Sequence, residues 1–448
     1  MPLRACLALA ACIAASLLAP SCGSSSSTAP STTTQTTTPP VTTVLAISGT
    51  TILDVGMTSQ LTAKNIAGIV VADAQWSSLA PAVATVSASG LVTAVSTGTA
   101  TIRATASGSS GTVGVLVQAP TGSVVTLSTC TNITQPGRYI VDRDMPDRSP
   151  CMSLQSVSNV QLDCQGHWMR AIVMTNVSAS TVENCLVAAN VKITGSVGVT
   201  VSRSTIANGI LWAVSSSGIV FDGNTATVLG TGFGAIVVLD GGSNNRVTNN
   251  VLVGGYNGTP SAVGTDDGVI VTNETGDVIE GNTISDFYDA GVEGVAAVTN
   301  TRIANNVMSN IGVAGVSSYW CTRWSGNVVE GNSVTRAPQF AQFVYLTGSK
   351  CGAVMTPASF VGNRFVGNSL RNATAPWLGS GGRKGMFVVI PEPVSSNLIR
   401  NNDFGTEPGP QLTPLTGFIN GGGNICGPFD PNVSNFDCAA AALGLRRR

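Results

Sequence analysis

The chain has 448 residues, which is enough for about three domains and a large hydrophobic core. It carries 22 Lys and Arg and 23 Asp and Glu, so its net charge of −1 excludes the strongly basic surface typical of nucleic-acid-binding proteins. Only 10% of the residues are charged and 51 are Gly, while the apolar residues come in short runs. This combination indicates a turn-rich all-β protein and excludes one built from membrane-spanning helices.

The first 21 residues are predicted to be an export signal, because Arg4 precedes an apolar stretch that ends in Ala19-Pro20-Ser21. These small residues suit an ordinary signal peptidase. Alternatively, Cys22 and the Ser residues after it resemble a bacterial lipoprotein, which implies lipidation of Cys22. Lipidation would leave an even set of eight cysteines for disulfide bonds. We therefore expect an exported protein, either secreted or held at the bacterial cell surface or outer membrane by a lipid anchor.

The next two segments are predicted to be a tether and a small domain. Residues 22–42 are rich in Ser, Thr and Pro, which is typical of a flexible linker. Residues 43–119 contain short alternating strands, and motifs such as Gln60-Leu61-Thr62-Ala63 and Trp76-Ser77-Ser78 resemble the group 2 bacterial immunoglobulin-like family. This resemblance implies a small Ig-like β-sandwich that acts as a spacer. It implies no reaction.

Residues 120–448 contain an internal repeat of the form "apolar, two residues, Asn, one residue, apolar". The repeated Asn positions are Asn224, Asn250, Asn282, Asn306, Asn332, Asn363 and Asn402, and Ser204 and Cys185 take this place in earlier copies. Asn tolerates the left-handed backbone of a turn and its amide bonds to neighbours, so stacked coils should form an Asn ladder. The segment is similar to the right-handed parallel β-helix proteins, such as pectate lyases. We therefore expect an all-β solenoid of about ten coils with a C-terminal cap.

Eight cysteines lie within the predicted solenoid: Cys130, Cys151, Cys164, Cys185, Cys321, Cys351, Cys426 and Cys438. The first two and the next two are each 21 residues apart, about one coil, and stacked coils bring such residues within disulfide distance. Cys321 and Cys351 are candidates to hold long loops, and Cys426 and Cys438 to hold the cap.

The candidate catalytic residues are Asp266, Asp267 and Asp289. Aligning the Gly-Val pairs that follow these residues stacks Asp266 on Asp289, one coil apart. Two close carboxyl groups suit glycoside hydrolysis, because their mutual repulsion raises one pKa and makes that group an acid. The alternatives are a Ca²⁺ site, for which Asp266, Asp289 and Glu293 are the candidate ligands, and turn caps without a ligand.

Long loops between the coils gather aromatic and basic residues that would suit an anionic sugar chain: Tyr256, Tyr319, Trp320, Arg323, Arg336, Lys350, Trp377, Arg383 and Lys384. The five favoured substrate-binding residues are Tyr256, Tyr319, Trp320, Arg323 and Lys350. The alternative is that the rings fill loop bases and the charges keep the surface hydrated.

The acidic motif is also similar to the paired-Asp motif of polygalacturonases, which are β-helix hydrolases. Ser243-Asn244-Asn245 stands where that family has Asn-Thr-Asp, and the family's Gly-His-Gly is missing. A lyase would instead need Ca²⁺ and a basic residue. We therefore keep two hypotheses: an enzyme that cleaves extracellular polysaccharide as a hydrolase or lyase, and a non-catalytic adhesin or polysaccharide-binding protein.

Overall fold

The computed structural model describes residues 45–65, 68–106, 108–118, 124–228, 232–258, 265–346, 358–374, 382–391 and 393–438. The predicted signal, the tether and Cys22 lie outside these ranges. Within them the only helical element is a three-residue 3₁₀ turn, Leu415–Gly417. No helix in the described part of the chain has the length and apolar character needed to cross a membrane.

An N-terminal module of nine strands forms small sheets, with every hairpin in it antiparallel. Leu61, Val92 and Ile102 are fully buried between the sheets. Numbered in chain order, the strands are β1 Ala46–Ser48, β2 Ile52–Asp54, β3 Thr58–Gln60, β4 Thr62–Lys64, β5 Gln75–Ser78, β6 Ala84–Val86, β7 Leu91–Ala94, β8 Gly98–Ala106 and β9 Ser109–Gln118. This is the predicted Ig-like architecture.

The following residues form three long parallel sheets, in which neighbouring strands belong to successive coils. Sheet 1 contains β10 Val124–Leu127, β12 Gly137–Val141, β14 Val160–Asp163, β17 Ser178–Glu183, β20 Val197–Ser202, β23 Val220–Asp222, β26 Arg246–Thr248, β29 Val278–Glu280, β32 Arg302–Ala304, β36 Val328–Glu330, β40 Arg364–Val366, β44 Asn397–Arg400 and β46 Phe418–Asn420.

Sheet 2 contains β11 Thr131–Ile133, β13 Met152–Gln155, β16 Ile172–Thr175, β19 Val191–Thr194, β22 Leu211–Val214, β25 Gly232–Asp240, β28 Thr265–Thr275, β31 Ala290–Thr299, β34 Ala314–Trp320, β38 Gln339–Leu346, β42 Lys384–Val389 and β45 Gln411–Thr413. Three further strands branch from it: β35 Arg323–Ser325, β39 Ser359–Val361 and β43 Val394–Ser395.

Sheet 3 contains β15 Trp168–Met169, β18 Leu186–Val187, β21 Thr205–Ala207, β24 Thr225–Thr227, β27 Val251–Val253, β30 Thr283–Phe287, β33 Val307–Ile311, β37 Ser333–Thr335 and β41 Ser369–Arg371. The predicted parallel β-helix is confirmed. Sheet 1 has one strand in each coil and 13 strands, which is more than the ten coils expected, because the first coils carry no Asn mark.

Two ladders of buried polar side chains run along the solenoid. Ladder I, between sheets 2 and 1, contains Asn245, Asp277, Thr301, Asn327, Asn363 and Asn397. Ladder II, between sheets 1 and 3, contains Ser204, Asn224, Asn250, Asn282, Asn306, Asn332, Asn368, Asn402 and Asn424. In ladder II each side-chain oxygen accepts a hydrogen bond from a backbone N–H one coil earlier.

The assignment of Asn363 to the same ladder as Asn332 was wrong. The backbone N–H of Asn332 donates to Asn368 Oδ1 at 3.0 Å, whereas Asn363 Oδ1 accepts from the N–H of Asn327 at 3.1 Å. Both ladders carry the same local pattern five residues apart, so the pattern alone does not distinguish the two turns.

The left-handed backbone does not fall on the ladder residues themselves. It falls on the residue before each, such as Asn305 with φ +53° before Asn306 and Gly331 with φ +62° before Asn332. Two consecutive residues therefore have different roles. The first adopts the left-handed backbone of the turn, and the side chain of the second forms hydrogen bonds with the neighbouring coils.

Disulfide bonds join Cys130 to Cys151 and Cys164 to Cys185, with Cα–Cα distances of 4.6 and 4.7 Å between stacked coils, as their spacing predicted. A third bond joins Cys426 to Cys438 in the C-terminal cap. Cys321 is also disulfide-bonded, and Cys351 lies outside the described residues.

Candidate functional site

The predicted acidic residues meet on two adjacent strands of sheet 2. Asp266 and Asp267 lie on β28, and Asp289 directly precedes β31. Asp267 pairs with Ala290, and the N–H of Asp289 donates to the carbonyl of Asp266 at 2.8 Å. The alignment predicted from the Gly-Val pairs is therefore confirmed.

Glu293 joins these residues from the middle of β31, where it pairs with Ile270. Asp267 and Glu293 are only 2% and 3% exposed, while Asp266 and Asp289 are half-buried. We call Asp266, Asp267, Asp289 and Glu293 the carboxyl cluster.

Burial raises the pKa of Asp267 well above its ordinary value, and the nearby charges of Glu293, Asp289 and Asp266 raise it further. One backbone hydrogen bond opposes these effects, because the N–H of Ala290 donates to Asp267 Oδ1 at 3.0 Å. A carboxyl group with a raised pKa beside other carboxyl groups is the combination that acid catalysis assisted by a carboxylate requires.

Tyrosine side chains line the carboxyl cluster. Burial and the charges of Asp289, Glu293 and Asp267 raise the pKa of Tyr319 well above its usual range. The Oη atom of Tyr319 is buried and has no hydrogen-bond partner among the described residues. An unpaired buried hydroxyl next to carboxylates is a candidate contact for a polar ligand.

Tyr288 is the residue that sequence reasoning missed. Burial, and then the charges of Asp266 and Asp289, raise its pKa, so its phenol lies beside the cluster. The predicted binding residue Tyr256 is 6% exposed and contacts the ring of Tyr288 edge to face, with centroids 6.1 Å apart. Tyr256 therefore packs against Tyr288 and restricts its position. The position of Tyr288 next to Asp289 was the available signal.

A row of outward-facing side chains crosses sheet 2 through Glu293, because the residues on either side of each row position point into the core. We call it the outer row. From β19 to β42 its members, paired strand by strand, are Lys192, Trp212, Val238, Ile270, Glu293, Ser317, Gln342 and Phe387. Ser317, beside Glu293, is fully buried, and its hydroxyl has no hydrogen-bond partner among the described residues.

The other predicted binding residues do not all lie at the carboxyl cluster. Trp320 packs with Ile270, next to Glu293, in a small apolar cluster. Arg323 lies on β35, where it pairs with Ala297, four residues beyond Glu293. Lys350 and Trp377 lie outside the described residues. The structure thus places Tyr319 beside the carboxyl cluster, Tyr256 against Tyr288, Trp320 on a small apolar cluster, and Arg323 on a branch strand.

The remaining basic residues of the predicted groove lie on other parts of the solenoid. Arg383 forms an ion pair with Glu407 at 3.4 Å, and Arg336 directly follows β37 in sheet 3. Lys384 is 7% exposed, and its ammonium donates to Gln411.

Asp266, Asp289 and Glu293 remain a predicted set of calcium ligands. In the part of the chain that the structure describes, no group of three or more His, Cys, Asp or Glu side chains is arranged to hold a metal ion.

A second pair of carboxyl groups lies one turn away, in ladder I. Asp277 occupies a ladder position and accepts a hydrogen bond from the N–H of Asn245 at 2.8 Å. Glu274 accepts bonds from the N–H of Gly242 at 2.7 Å and from the amide of Asn245 at 3.0 Å. Burial and the charge of Asp277 raise the pKa of Glu274 to about 8, and burial raises that of Asp277 to about 6.

This second pair shares a proton at neutral pH. The Oδ2 atom of Asp277 is buried and lacks a donor while both groups are ionised. A proton on Glu274 supplies that donor. Spacing along the chain gives no reason to pair Glu274 with Asp277.

The shared proton predicts that stability falls at alkaline pH. Unfolded carboxyl groups ionise near pH 4, so between about pH 5 and about pH 8 the folded pair holds a proton that the unfolded chain has lost. The free energy of unfolding should therefore decrease as pH rises through this window. Replacing Asp277 by Asn, the residue type of Asn327 and Asn363, should flatten this decrease and stabilise the protein at pH 8 by roughly 1–3 kcal/mol.

Urea denaturation of the wild type and of Asp277→Asn across this pH range measures the effect. Exposed Asp73 supplies the control, because Asp73→Asn makes the same charge change in the N-terminal module. Equal slopes in all three proteins would contradict the shared proton.

The family comparisons agree with this architecture. Residues 39–116 match the model of the bacterial Ig-like domain (group 2), and residues 189–370 match the model of the right handed beta helix region. The solenoid is a right-handed β-helix. No curated protein matches the chain.

Solved structures with a similar fold include the A-module of the mannuronan C-5 epimerase AlgE6 from Azotobacter vinelandii, with 12% identity and a TM-score of 0.43 over 69% of this chain and 92% of that one. They also include an alginate lyase from Paenibacillus sp. str. FPU-7, with 12% identity and a TM-score of 0.34 over 67% and 99% of the two chains. A third is endopolygalacturonase I from Stereum purpureum, with 9% identity and a TM-score of 0.32 over 69% and 93%.

Proposed function

We propose that this protein is a glycoside hydrolase that cleaves an extracellular polysaccharide at the carboxyl cluster. The observation that carries the proposal is the buried Asp267 among Glu293, Asp289 and Asp266, whose burial and charges raise its pKa well above the ordinary value. A protonated carboxyl group and an ionised one on the two sides of a glycosidic bond are the groups that this reaction needs.

Asp267 is the proposed general acid, and it would give its proton to the oxygen of the leaving sugar. Asp289 is the proposed ionised partner, because it is half-buried and so reachable by substrate or by water. Tyr288, which is half-buried beside Asp266 and Asp289, would bind a sugar hydroxyl group through its phenol.

A hydrolase is favoured over a lyase by the sign of the local charge. A lyase removes a proton next to a uronate group and needs positive charge to stabilise the product of that step. The charges that act on Asp267 and on Tyr319 are all those of carboxylates. Such a site suits an uncharged sugar that gains positive character during cleavage.

Non-catalytic polysaccharide binding is the second candidate function. It is favoured by the burial of Asp267 and Glu293, each at most 3% exposed, because an acid catalyst has to reach its substrate. In either case the proposal places the protein outside the cell, since disulfide-bonded modules are typical of exported proteins. Signal cleavage and lipidation of Cys22 belong to the same proposal.

The test is to incubate the full chain, with its disulfides intact, with acidic and neutral polysaccharides. New reducing ends and the absorbance of a new C=C bond are followed together. Reducing ends without C=C absorbance are the expected result. C=C absorbance would overturn the hydrolase in favour of a lyase, and binding without product would favour the second candidate.

A further inference from the structure

A lysine and a tryptophan form an isolated cationic feature on the outer row. The ammonium of Lys192 on β19 lies 4.4 Å from the centroid of the Trp212 ring on β22. Both side chains are half-exposed, and Lys192 forms no ion pair with any described residue. The ring attracts the ammonium and restricts its position, while its N–H donors stay available.

This cation lies in line with the carboxyl cluster. Along the outer row Lys192 pairs with Trp212, then come Val238 and Ile270, and Ile270 pairs with Glu293. Three strand spacings separate Lys192 from β28, the strand of Asp267, and at 4.7–4.9 Å each they span about 14 Å. Val238 and Ile270 between them are uncharged and half-exposed.

The outer row therefore has a positive end and a negative end. The carboxyl groups of Asp266, Asp289 and Glu293, whose charges raise the pKa of Asp267, would repel a sugar that carries a negative charge, whereas Lys192 attracts one. A sugar residue of an extended chain is about as long as one strand spacing, so about three residues separate Lys192 from β28, the strand of Asp267. A chain that fits both ends carries a neutral sugar at the cluster and an acidic sugar at Lys192.

We propose that Lys192 and Trp212 form a distal subsite for an acidic sugar, and that the polysaccharide is a heteropolymer that mixes acidic and neutral residues. This inference rests on the proposed function, because it takes the outer row as the path of the chain. The similar pair Lys384 and Phe387 is not such a subsite, since Lys384 is 7% exposed and donates to Gln411.

The test measures binding by affinity electrophoresis in the Asp267→Asn background, so that cleavage does not remove the ligand. Three probes are compared: hyaluronan, in which a uronate alternates with a neutral sugar; polygalacturonate, in which every sugar is acidic; and dextran, which is neutral. We expect hyaluronan to bind more tightly than the other two probes. Lys192→Gln should weaken hyaluronan binding about tenfold, because the variant loses one charge-assisted hydrogen bond.

Two further variants sharpen the comparison. Lys192→Arg keeps the charge and the ring contact and should keep most of the binding. Lys64→Gln makes the same charge change in the N-terminal module and should have no effect. Added salt should weaken hyaluronan binding in the wild type and less so in Lys192→Gln.

The outcomes separate this inference from the proposed function. Equal binding of hyaluronan by Lys192→Gln and by the wild type would overturn the subsite and leave the hydrolase intact. Tighter binding of polygalacturonate or dextran than of hyaluronan would overturn the mixed polymer. Binding of hyaluronan that depends on Lys192, in a protein that cleaves no polysaccharide, would support the subsite and overturn the hydrolase.

Discussion

Replacing Asp267 by Asn should lower the rate of polysaccharide cleavage about a thousandfold, within the range that removal of a general acid causes. The amide has the shape of the acid and keeps an oxygen for the N–H of Ala290, which now donates to Asp267 Oδ1 at 3.0 Å. It has no acidic proton to give to the leaving sugar. The fold should therefore survive while the reaction stops, and reducing-end assays with matched thermal denaturation measure both.

The pH dependence gives a second readout of the same residue. Because burial and neighbouring carboxylates hold the pKa of Asp267 well above its ordinary value, the wild-type rate should fall on the alkaline side as this proton is lost. Asp289→Asn should also be inactive, whereas Asp73→Asn, an equal charge change far from the cluster, should be fully active. An Asp267→Asn enzyme with the wild-type rate would remove Asp267 from the mechanism.

Replacing Asn306 by Ala should lower the free energy of unfolding by about 4 kcal/mol, an unusually large loss for one polar residue. Asn306 is fully buried in ladder II, where its Oδ1 accepts from the N–H and the amide of Asn282 at 3.0 and 2.9 Å. Its own amide donates to the carbonyl of Ile279 and to Asn332 Oδ1, both at 2.9 Å. Alanine leaves these groups buried without partners.

Denaturation by urea, followed by circular dichroism, measures this loss as a shift of the transition midpoint. Asn432, exposed in the C-terminal turn, provides the matched control, because Asn432→Ala removes only the bond that its side-chain amide donates to Asp430 Oδ1 at 3.1 Å. Similar midpoints for the two variants would mean that the ladder bonds contribute little beyond the turns that they join.

The Asn repeat predicted the architecture of the solenoid correctly, but it did not assign every Asn to the right ladder. The repeat around Asn282 and Asn306 predicted a parallel solenoid with an internal Asn ladder, and both are present. Asn363 was placed in the wrong ladder because two turns of each coil use the same local chemistry. A short sequence pattern shows which residues a turn requires. It does not show which of the two similar turns of a coil contains those residues.

In the candidate site, too, the sequence predicted the strand register but not the contacts between side chains. Gly-Val spacing was sufficient to align Asp267 with Ala290, because strands in a parallel sheet keep one register from coil to coil. The contact of Tyr288 with the cluster, and the proton shared by Glu274 and Asp277, involve side chains on different strands or turns of the solenoid. Neither follows from spacing along the chain.

By itself the sequence determined the all-β class, the Ig-like module, the parallel solenoid, the one-coil spacing of two cysteine pairs and the alignment of the strands that carry the acidic residues. These features depend on local turn chemistry and on a repeat length, both of which are written along the chain. Only the tertiary structure decided which carboxyl groups are buried, which of them have a raised pKa, and that Lys192 stands in line with Glu293. Burial and electric charge depend on distances in space between coils, and each coil meets its neighbour only after the chain has folded.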